Sequence, residues 1–321
     1  MRLPQPLLDS QFFQFSSLAE LLKATGELVP PSEQVQMRRM VDRGLPPITS
    51  RAALSAMLGI NPGLTHALIT WPQRYYRTFE IPKGRRGIRR IDAPRVGLKI
   101  IQKWVAERLQ NCYERPEHVY GFVPGLSHVH AAAQHCEATW TFGVDIKDFF
   151  QTTPIKVVVK CLLRIGFDEN GAGVVASLCC LNGVLAQGAP SSPVLSNICF
   201  LHVDQRLTEL AAEFGVRLTR YADDIVFSGM GEFPERMQTE LFAIFSSGPW
   251  RLSERKTRLD KLPNRLKVHG LLVHGERARL TKGYRNRLRA YDHLERTKGE
   301  DVEDADVIRG HLSYGKFVES L

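Results

Sequence analysis

Residues 1–70 carry apolar positions at helical spacing. Leucines and alanines recur every three or four residues in SSLAELLKA and again in SRAALSAMLGI, which is the spacing of an amphipathic helix. Ser50 stands at an N-cap position of the second pattern, and Asn61-Pro62-Gly63 follows that pattern as a stop signal. Residues 1–70 are therefore predicted to form a helical N-terminal extension.

From about residue 71 to residue 275, β-prone runs and helical patterns are interspersed. Alternation predicts two strands in YRTFEIPKGRRGIRRIDAP, joined by a Gly- and Arg-rich turn, and a further strand in TWTFGVDIKDFF. Helical periodicity marks GLKIIQKWVAERLQNCY, VVVKCLLRIGF and PVLSNICFLHVDQRLTELAAEF. RLTRYADDIVFSG predicts two strands that meet at a tight turn on Ala222 and Asp223, and LKVHGLLVHGERARL predicts another strand pair. This mixture predicts an α+β fold with a small helical tail over residues 276–321.

The positive charge of the chain indicates what kind of partner it binds. The 321-residue chain has a formal net charge of +9, which is typical of proteins that bind nucleic acid. The C-terminal segments ERKTRLDKLPNRLK and TKGYRNRLRA are basic. So is PKGRRGIRRIDAPR, whose basic residues are Lys83, Arg85, Arg86, Arg89, Arg90 and Arg95. Taken alone, such patches are also compatible with solvated faces.

Composition disfavours several other classes of protein. No apolar run is long enough to span a bilayer, and the N-terminus lacks the basic start and apolar stretch of a signal peptide. We therefore predict a cytoplasmic protein with no membrane partner. The six cysteines never form a CxxC pair, so they are expected to be buried small hydrophobic residues rather than disulfides or zinc ligands.

The candidate catalytic residues are aspartates at the ends of apolar, β-prone runs. Asp145 follows TFGV, and Asp223 and Asp224 precede IVFS. Ionised carboxylates beside a core are unfavourable unless a cation compensates them. Mg²⁺ prefers such oxygen ligands and keeps room for waters and substrate phosphates, so two Mg²⁺ ions here would suit nucleotidyl transfer. Taken alone, however, YADD is better explained by an ordinary solvated hairpin turn.

The order of motifs over about residues 75–275 resembles the palm of reverse transcriptases. The segments are YRTFEIPKGRRGIRRIDAP, VYGFVPG, VDIKDFF, QGAPSSP, YADD, LSERKT and VHGLLV. This resemblance implies a right-hand polymerase with fingers, an antiparallel palm sheet backed by helices, and a thumb. It also implies that Asp145, Asp223 and Asp224, together with Ile146, bind two catalytic Mg²⁺ ions.

The same resemblance implies a binding site for the incoming dNTP. Lys83 and Arg89 match positions that hold the triphosphate, although a basic hairpin could also bind a nucleic-acid backbone. Phe150 matches the aromatic position under the sugar, where a bulky ring excludes a 2′-hydroxyl. Either Phe149 or Phe150 is also expected to be a core residue, because adjacent strand residues face opposite ways. The residues implied to bind the dNTP are Lys83, Arg89, Asp148, Phe149, Phe150, Gln187 and Gly188.

Further roles follow from the same comparison. Gln187 and Gly188 match the segment that lies against the nascent base pair and the template. Lys256 matches a lysine proposed to donate a proton to the leaving pyrophosphate, and a plain phosphate contact is about equally compatible with it. In the tail, which would be the thumb, the residues available to nucleic acid are Arg285, Arg287 and Arg289.

In its size and in the residues of its motifs, the chain resembles the retron reverse transcriptases of bacteria. These enzymes copy part of a structured non-coding RNA into a short DNA attached to it. Two signatures of that group are only partly present. AAAQH keeps His135 of the usual NAxxH but has Ala131 instead of the asparagine, and Val268-His269-Gly270 replaces VTG. These segments are associated in the group with its own RNA and with 2′-hydroxyl priming. His135 and His269 are therefore either RNA contacts or satisfied structural histidines.

The expected partners are a structured non-coding RNA template, its DNA product, dNTPs and, through antiphage defence, an effector or toxin protein. Two alternatives stay open: another bacterial defence-associated reverse transcriptase, and an RNA-binding scaffold subunit of a toxin-sequestering complex. The domains expected are a helical extension over residues 1–70, fingers and palm over residues 71–275, and a helical thumb over residues 276–321.

Overall fold

The computed structural model describes residues 3–82, 84, 87–298 and 304–321. Its helices are α1 (Gln5–Asp9), α2 (Leu18–Thr25), α3 (Pro31–Asp42), α4 (Arg51–Leu58), α5 (Pro62–Thr70), α6 (Val96–Asn111), α7 (His128–Ala133), α8 (Ile155–Ile165), α9 (Glu169–Cys179), α10 (Ser192–Glu213), α11 (Glu235–Ile244), α12 (Lys282–Lys298) and α13 (Ala305–Ser320). Its strands are β1 (Tyr76–Pro82), β2 (Ile88–Pro94), β3 (Trp140–Asp145), β4 (Cys180–Leu181), β5 (Val184–Leu185), β6 (Arg217–Tyr221), β7 (Asp224–Gly229), β8 (Arg258–Lys261), β9 (Lys267–Val268) and β10 (Leu271–Leu272). Helices and antiparallel strands are interspersed along the chain, so the predicted α+β class is confirmed.

Local capping explains where the N-terminal helices begin and end. Ser50 caps α4, and its hydroxyl accepts a hydrogen bond from the Ala53 N–H at 3.1 Å. Gly59, with a φ of 63°, ends the same helix. Asn61-Pro62-Gly63, predicted to be a stop signal, instead begins the next helix, because the Asn61 side chain accepts from the N–H two residues later at 2.7 Å and caps α5.

Contacts divide the chain into two units whose limits differ from the predicted domain boundaries. The first unit comprises residues 1–115 and 148–202, and the second comprises residues 116–147 and 203–321. The N-terminal helices belong to the first unit. Among them, α1 packs against α6, where Trp104 Nε1 donates to the Ser10 carbonyl at 2.8 Å. Residue 70 is therefore not a boundary between compact units.

In the first unit, β1 and β2 form the predicted antiparallel hairpin. The pairing runs from Tyr76 opposite Pro94 to Pro82 opposite Ile88. The base of the hairpin is anchored in the core, since Tyr76 is buried and its hydroxyl accepts from Gln102 Nε2 at 2.7 Å. Three basic residues of the connecting turn lie outside the described residues: Lys83, Arg85 and Arg86.

In the second unit, β6, β7, β3 and β8 form an antiparallel sheet in that order. β3 lies between β7 and β8, and Trp140 and Phe142 on it are fully buried. The predicted tight turn joins β6 to β7, with Ala222 at a φ of 59°. The register places Asp145 opposite Asp224. The sheet thus carries acidic residues of two strands to the same end.

The C-terminal tail shares a core with the short β9–β10 hairpin of the second unit. The predicted strand pair in LKVHGLLV is reduced to two pairs of residues, with Val268 opposite Leu271 and Lys267 opposite Leu272. Apolar residues of α7, β7, this hairpin and the tail helices form one buried cluster. Its members are Val129, Ala132, Cys136, Ala138, Val226, Leu266, Val268, Leu271, Val273, Ala278, Leu280 and Val318, with Tyr284, Leu288 and Tyr314 packed against them. Residues 276–321 therefore belong to the same unit as the palm sheet.

The cysteines are free, and five of them behave as core residues. The buried ones are Cys136, Cys161, Cys179, Cys180 and Cys199, as expected of small hydrophobic side chains. In the described part of the chain, no single helix combines the length and the apolar character needed to cross a bilayer. Helices α4 and α5, bent by 120° to each other, meet that requirement only as a pair.

Two glycines of α9 provide a matched test of how tightly this helix packs in the first unit. A Cβ at Gly171 would overlap the carbonyl oxygen of Ile48, whereas a Cβ at Gly173 would meet nothing within 4 Å. We expect Gly171→Ala to lower the free energy of unfolding by about 1–3 kcal/mol, because the backbone has to move. Gly173→Ala should raise it by about 0.5–1 kcal/mol, because alanine loses less chain entropy in a helix. Urea unfolding measures both values, and shifts of the same sign would contradict this packing.

Candidate active site

The sheet of the second unit brings together the three aspartates among the four predicted metal ligands. Asp145 is the last residue of β3 and Asp224 is the first residue of β7, and they are directly opposite in antiparallel register. Asp223 lies in the turn before β7, and its carbonyl accepts a hydrogen bond from the Ile146 N–H at 2.9 Å. The main chain therefore ties the segment that carries Asp145 to the turn that carries the other two carboxylates.

Burial and crowding act on these carboxylates in the same direction. Asp145 is only 4% exposed. Burial raises the pKa of Asp145, Asp223 and Asp224, and repulsion from a neighbouring carboxylate raises each of them further, while Lys256 opposes the change. A hard divalent cation would relieve both unfavourable contributions, so this set of oxygen donors fits Mg²⁺. Among the residues that the structure describes, no three acidic, histidine or cysteine side chains are arranged as a complete metal-binding site. The metal site therefore remains a prediction.

Lys256 donates a hydrogen bond to the carboxylate of Asp145. Its Nζ lies 2.5 Å from Oδ2, and the lysine side chain is 55% exposed whereas the aspartate side chain is 6% exposed. The main chain sets this position, because the Ser253 N–H donates to the Asp145 carbonyl at 2.8 Å just before the 3-10 helix Glu254–Lys256. An ammonium group that is held by one carboxylate and open to solvent fits both predicted roles, proton donation and phosphate contact.

His269, in the segment that replaces VTG, lies beside the turn that carries Asp223 and Asp224. Its Nδ1 is 3.9 Å from Asp224 Oδ2, and its ring centroid is 5.5 Å from that of Tyr221. Burial of the ring lowers the pKa of His269 to about 4, so the imidazole is neutral at pH 7 and the contact with Asp224 is not an ion pair. Only 7% of the side chain is exposed, and Nε2 is buried without a hydrogen-bond partner among the described residues. His269 is therefore a buried histidine that is only partly satisfied.

The predicted RNA contact of His135 needs correction. Its ring is fully buried, and Nδ1 and Nε2 each lie 2.7 Å from a hydroxyl, that of Ser228 on β7 and that of Thr219 on β6. In a neutral imidazole one of these nitrogens donates and the other accepts, so both are satisfied. His135 therefore links two palm strands from within the core and has no ring nitrogen left for RNA.

In the first unit, residues 148–150 form a turn rather than a continuation of β3. Asp148 has a φ of 48° and is exposed. Phe149 is 4% exposed and packs edge-on against Phe200, with ring centroids 5.4 Å apart, while Phe150 is only partly buried. One of the two phenylalanines is thus a core residue, as expected, but turn geometry and not strand alternation is the reason. The ring of Phe149 is therefore not available to a nucleotide, and Phe150 remains the candidate under the sugar.

The QGAPSSP loop of the first unit lies against β2. The Gln187 carbonyl accepts from the Asp92 N–H at 2.8 Å, and the Gln187 side chain accepts from Gln151 Nε2 at 2.8 Å. Gly188 has a φ of 126°, and a Cβ there would lie 2.8 Å from the side chain of Ile91. Glycine therefore permits a close approach between the loop and the hairpin. A contact of this loop with the nascent base pair stays a prediction.

The basic residues predicted to bind phosphates are exposed wherever they are described. Arg89 lies on β2, opposite Ile81, whereas Lys83 lies outside the described residues. Arg285, Arg287 and Arg289 are exposed on α12. Arg285 and Arg289 share one face because they are about one turn apart, whereas Arg287 points about half a turn away. One nucleic-acid strand along α12 would therefore meet two of the three arginines.

A buried charge network in the second unit was not predicted from the sequence. Arg220, immediately before YADD, is fully buried and forms a two-point ion pair with Asp204 of α10. The sequence did contain a signal, since an arginine within an apolar strand needs a buried acidic partner. Periodicity alone does not identify which acid that is.

Comparison with known proteins agrees with the motif order. A family model described as "Reverse transcriptase (RNA-dependent DNA polymerase)" matches residues 81–272. The chain is 32% identical over 309 residues to the retron Mx65 reverse transcriptase of Myxococcus xanthus, an alignment that covers 89% of this chain and 70% of that protein. It is 27% identical over 293 residues to the retron Ec86 reverse transcriptase of Escherichia coli, with 90% and 91% covered.

Similar solved structures include a telomerase from Candida albicans in complex with a fragment of telomeric RNA. The identity is 11% and the TM-score is 0.46, and the match covers 68% of this chain and 50% of the telomerase chain. The chain thus spans about half the length of that protein.

The chain belongs to the reverse transcriptase family. Within that family it is a retron-type RNA-directed DNA polymerase, because the family model covers more than half of its length and retron enzymes match it over nearly all of it. The predicted family, its right-hand polymerase fold and its class of activity are thereby confirmed, and an RNA template is one of its partners.

The buried imidazole of His135 predicts a pH dependence of stability. Burial lowers the pKa of His135 to about 3, whereas an unfolded histidine has a pKa of about 6.5. Between these values the unfolded chain binds the extra proton, so the free energy of unfolding should fall as the pH decreases from about 6.5 towards 3. We expect His135→Gln to make this decrease shallower. Urea unfolding at several pH values measures the slope, and an unchanged slope in the variant would contradict the buried neutral ring.

Proposed function

We propose that this chain copies a structured non-coding RNA into a short DNA that stays linked to the RNA, by nucleotidyl transfer at Asp145, Asp223 and Asp224. The observation that carries this proposal is the pairing of β3 with β7, which sets Asp145 opposite Asp224 beside the Asp223 turn. It is supported by the retron reverse transcriptases among the relatives of the chain.

The three carboxylates, with the carbonyl of Ile146, would hold two Mg²⁺ ions. When bound, such ions activate the primer hydroxyl and stabilise the charge on the transferring phosphoryl group and on the pyrophosphate. The chain itself fixes the spacing of the ligands, through the hydrogen bond from the Ile146 N–H to the Asp223 carbonyl. It also keeps the carboxylates close to one another despite their mutual repulsion.

Lys256 would donate the proton that the leaving pyrophosphate takes up. Its ammonium is held 2.5 Å from Asp145 Oδ2 and is half exposed, so it can turn from the carboxylate to a phosphate oxygen by rotation of its own side chain. The alternative, a plain phosphate contact, uses the same position. A lysine at this place therefore serves the departure of pyrophosphate in either role.

Residues of the first unit would select and hold the nucleotide. Lys83 and Arg89, at the β1–β2 hairpin, would bind the triphosphate, and Gln187 and Gly188 would lie against the nascent base pair. Phe150 would exclude a 2′-hydroxyl, so the substrates would be dNTPs. Its partial burial, beside the core residue Phe149, supports a ring that is held in place and still reachable.

The finer partners follow from the retron resemblance alone. They are the linked DNA product and an effector or toxin protein. The role in antiphage defence and the cytoplasmic location are likewise proposals that rest on this resemblance. Sequencing the nucleic acid that co-purifies with the protein tests the linked DNA product. A short branched RNA-linked DNA is expected, and a free or repetitive product would favour another defence-associated reverse transcriptase.

Neutral replacement of the turn carboxylates should separate activity from stability. We expect Asp223→Asn with Asp224→Asn to abolish extension of a primed RNA template with Mg²⁺ and dNTPs, because the metal ligands lose their charge, and to leave RNA binding intact. Since repulsion and burial raise both pKa values in the folded chain, the same change should increase the free energy of unfolding at pH 7 in metal-free buffer. Primer extension, RNA binding and urea unfolding are the measurements.

Asp260→Asn is the matched control for this double variant. Asp260 lies on β8 of the same sheet and pairs with Arg258 at 2.7 Å, so its replacement should leave extension unchanged. The enzymatic proposal fails if the wild-type protein extends no primed template, including its own co-purified RNA.

Phe150→Ala should weaken discrimination against ribonucleotides. Removal of the ring would open space for a 2′-hydroxyl, so the ratio of kcat/KM for a dNTP to kcat/KM for the matching rNTP should fall. Phe200→Leu is the control, because it removes an aromatic ring that packs on Phe149 and keeps the ring of Phe150. Single-nucleotide incorporation kinetics give both ratios, and an unchanged ratio in Phe150→Ala would count against the proposed role of Phe150.

A further inference from the structure

We propose that Arg220 is a positioning residue for polymerisation, and that its buried ion pair with Asp204 fixes the turn that carries Asp223 and Asp224. The inference rests on the proposed function, because that function makes these two aspartates metal ligands. Arg220, Asp204 and the turn all belong to the second unit.

The ion pair is fully enclosed. Arg220 Nε lies 2.7 Å from Asp204 Oδ1 and Nη2 lies 2.6 Å from Oδ2, and both side chains are 0% exposed. His118 Nε2 lies 3.0 Å from the same Oδ1. Burial would raise the pKa of Asp204, but the charge of Arg220 and the hydrogen bonds from His118 and Arg220 outweigh this and lower it. The pair is therefore ionised at neutral pH and aligned at two points.

The guanidinium also holds the turn itself. Arg220 Nη1 donates to the carbonyl of Ala222 at 3.1 Å. Ala222 has a φ of 59°, a conformation that is uncommon for residues other than glycine and needs support from its surroundings. The carbonyl in question belongs to the peptide that leads directly into Asp223. A single guanidinium thus connects a fully buried carboxylate of α10 to the backbone of the turn that carries Asp223 and Asp224.

Main-chain hydrogen bonds from segment 118–121 hold the residues just before the turn from the other side. The Arg220 N–H donates to the His118 carbonyl at 2.7 Å, and the Tyr120 N–H donates to the Arg220 carbonyl at 2.9 Å. A Cβ at Gly121 would overlap the main-chain nitrogen of Ala222. The glycine of the VYGFVPG motif therefore permits segment 118–121 to lie directly against the turn.

Stability alone does not explain a charge pair at this position. Replacement of a buried ion pair by apolar residues of similar volume is often neutral or stabilising, because two charges no longer have to be desolvated. Orientation is a stronger reason, since a displacement of about 1 Å at a reacting centre can cost on the order of 100-fold in rate. Groups that orient metal ligands typically contribute roughly 10–100-fold to metal affinity or activity.

The decisive variant removes the guanidinium while it avoids an unpaired buried charge. Asp204→Asn with Arg220→Met leaves an acceptor for His118 and fills the space of the arginine with an apolar chain. We expect this variant to fold, to lose on the order of 100-fold in kcat and to need roughly 10-fold more Mg²⁺ for half-maximal activity. Its KM for dNTP and its affinity for primed template should stay at the wild-type values, because Arg220 touches neither.

Two further variants keep the test decisive if the double variant does not fold. Arg220→Lys keeps the charge but not the two-point pairing, and should give an intermediate loss of kcat and an intermediate Mg²⁺ requirement. Gly121→Ala displaces the turn from the opposite side with the ion pair intact, and should raise the Mg²⁺ requirement in the same direction.

Gln102→Leu is the control for a loss of stability alone. Gln102 is a fully buried polar residue of the first unit that donates to the Tyr76 hydroxyl and to the Leu178 carbonyl, each at 2.7 Å. Its replacement should lower the Tm without any change in the Mg²⁺ requirement of the folded fraction. The inference is overturned if the Arg220 variants fold with the wild-type kcat and Mg²⁺ requirement, or if their losses only follow the folded fraction as in Gln102→Leu. A wild-type protein without polymerase activity would instead overturn the proposed function, and this inference with it.

Discussion

The mutual repulsion of three carboxylates at one end of the palm sheet is the constraint on which the rest of the second unit depends. Asp145 and Asp224 are opposite each other across β3 and β7, and Asp223 is adjacent in sequence. Burial disfavours their ionised forms further. A chain free to relax would move them apart, so their proximity has to be enforced by the strand pairing, the Ile146–Asp223 hydrogen bond and the contacts beneath the turn.

Asp204 shows how the same unit treats a carboxylate that serves structure. It is as buried as Asp145, but a guanidinium and an imidazole surround it and lower its pKa. The carboxylates of the turn have an incomplete set of partners and raised pKa values. Groups whose pKa is perturbed by burial and like charge are concentrated at functional sites, where a substrate or an ion completes the set. The contrast between the two kinds of carboxylate supports the assignment of the active site to the turn rather than to the buried network.

Sequence patterns predicted the helices, strands and turns that depend on interactions between residues close together in the chain. Alternation identified β3, the cap at Ser50 identified the start of α4, and the tolerance of turn geometry by YADD identified the hairpin between β6 and β7. Motif order identified the family. The errors concern contacts between residues that are distant in sequence. His135 satisfies hydroxyls on two strands, 84 and 93 residues further along the chain, and no periodicity encodes such partners.

The limits of the two compact units and the orientations of Phe149 and Phe150 also depend on contacts or turn geometry that the sequence pattern did not predict. The helices of residues 1–70 are predictable from spacing, but the packing of α1 against α6 depends on a contact such as the one between Trp104 and Ser10, 94 residues apart. One core residue was expected among Phe149 and Phe150, yet the left-handed conformation of Asp148 that orients them was not. Patterns therefore give the type of an element more reliably than its neighbours or its exit direction.

The two segments that depart from the retron signatures both contribute histidines to the interior of the palm. His135 joins β6 to β7, and His269 packs beside Tyr221 and Asp224 at the end of the same strands. With both rings buried, neither offers a charged or accessible nitrogen to a phosphate. The exposed cations of the second unit then become the stronger candidates for RNA, and Arg285 and Arg289 on one face of α12 are spaced to follow a single strand. The histidine that VHG introduces, His269, would thus change how the turn of Asp223 and Asp224 is supported more directly than how RNA is recognised.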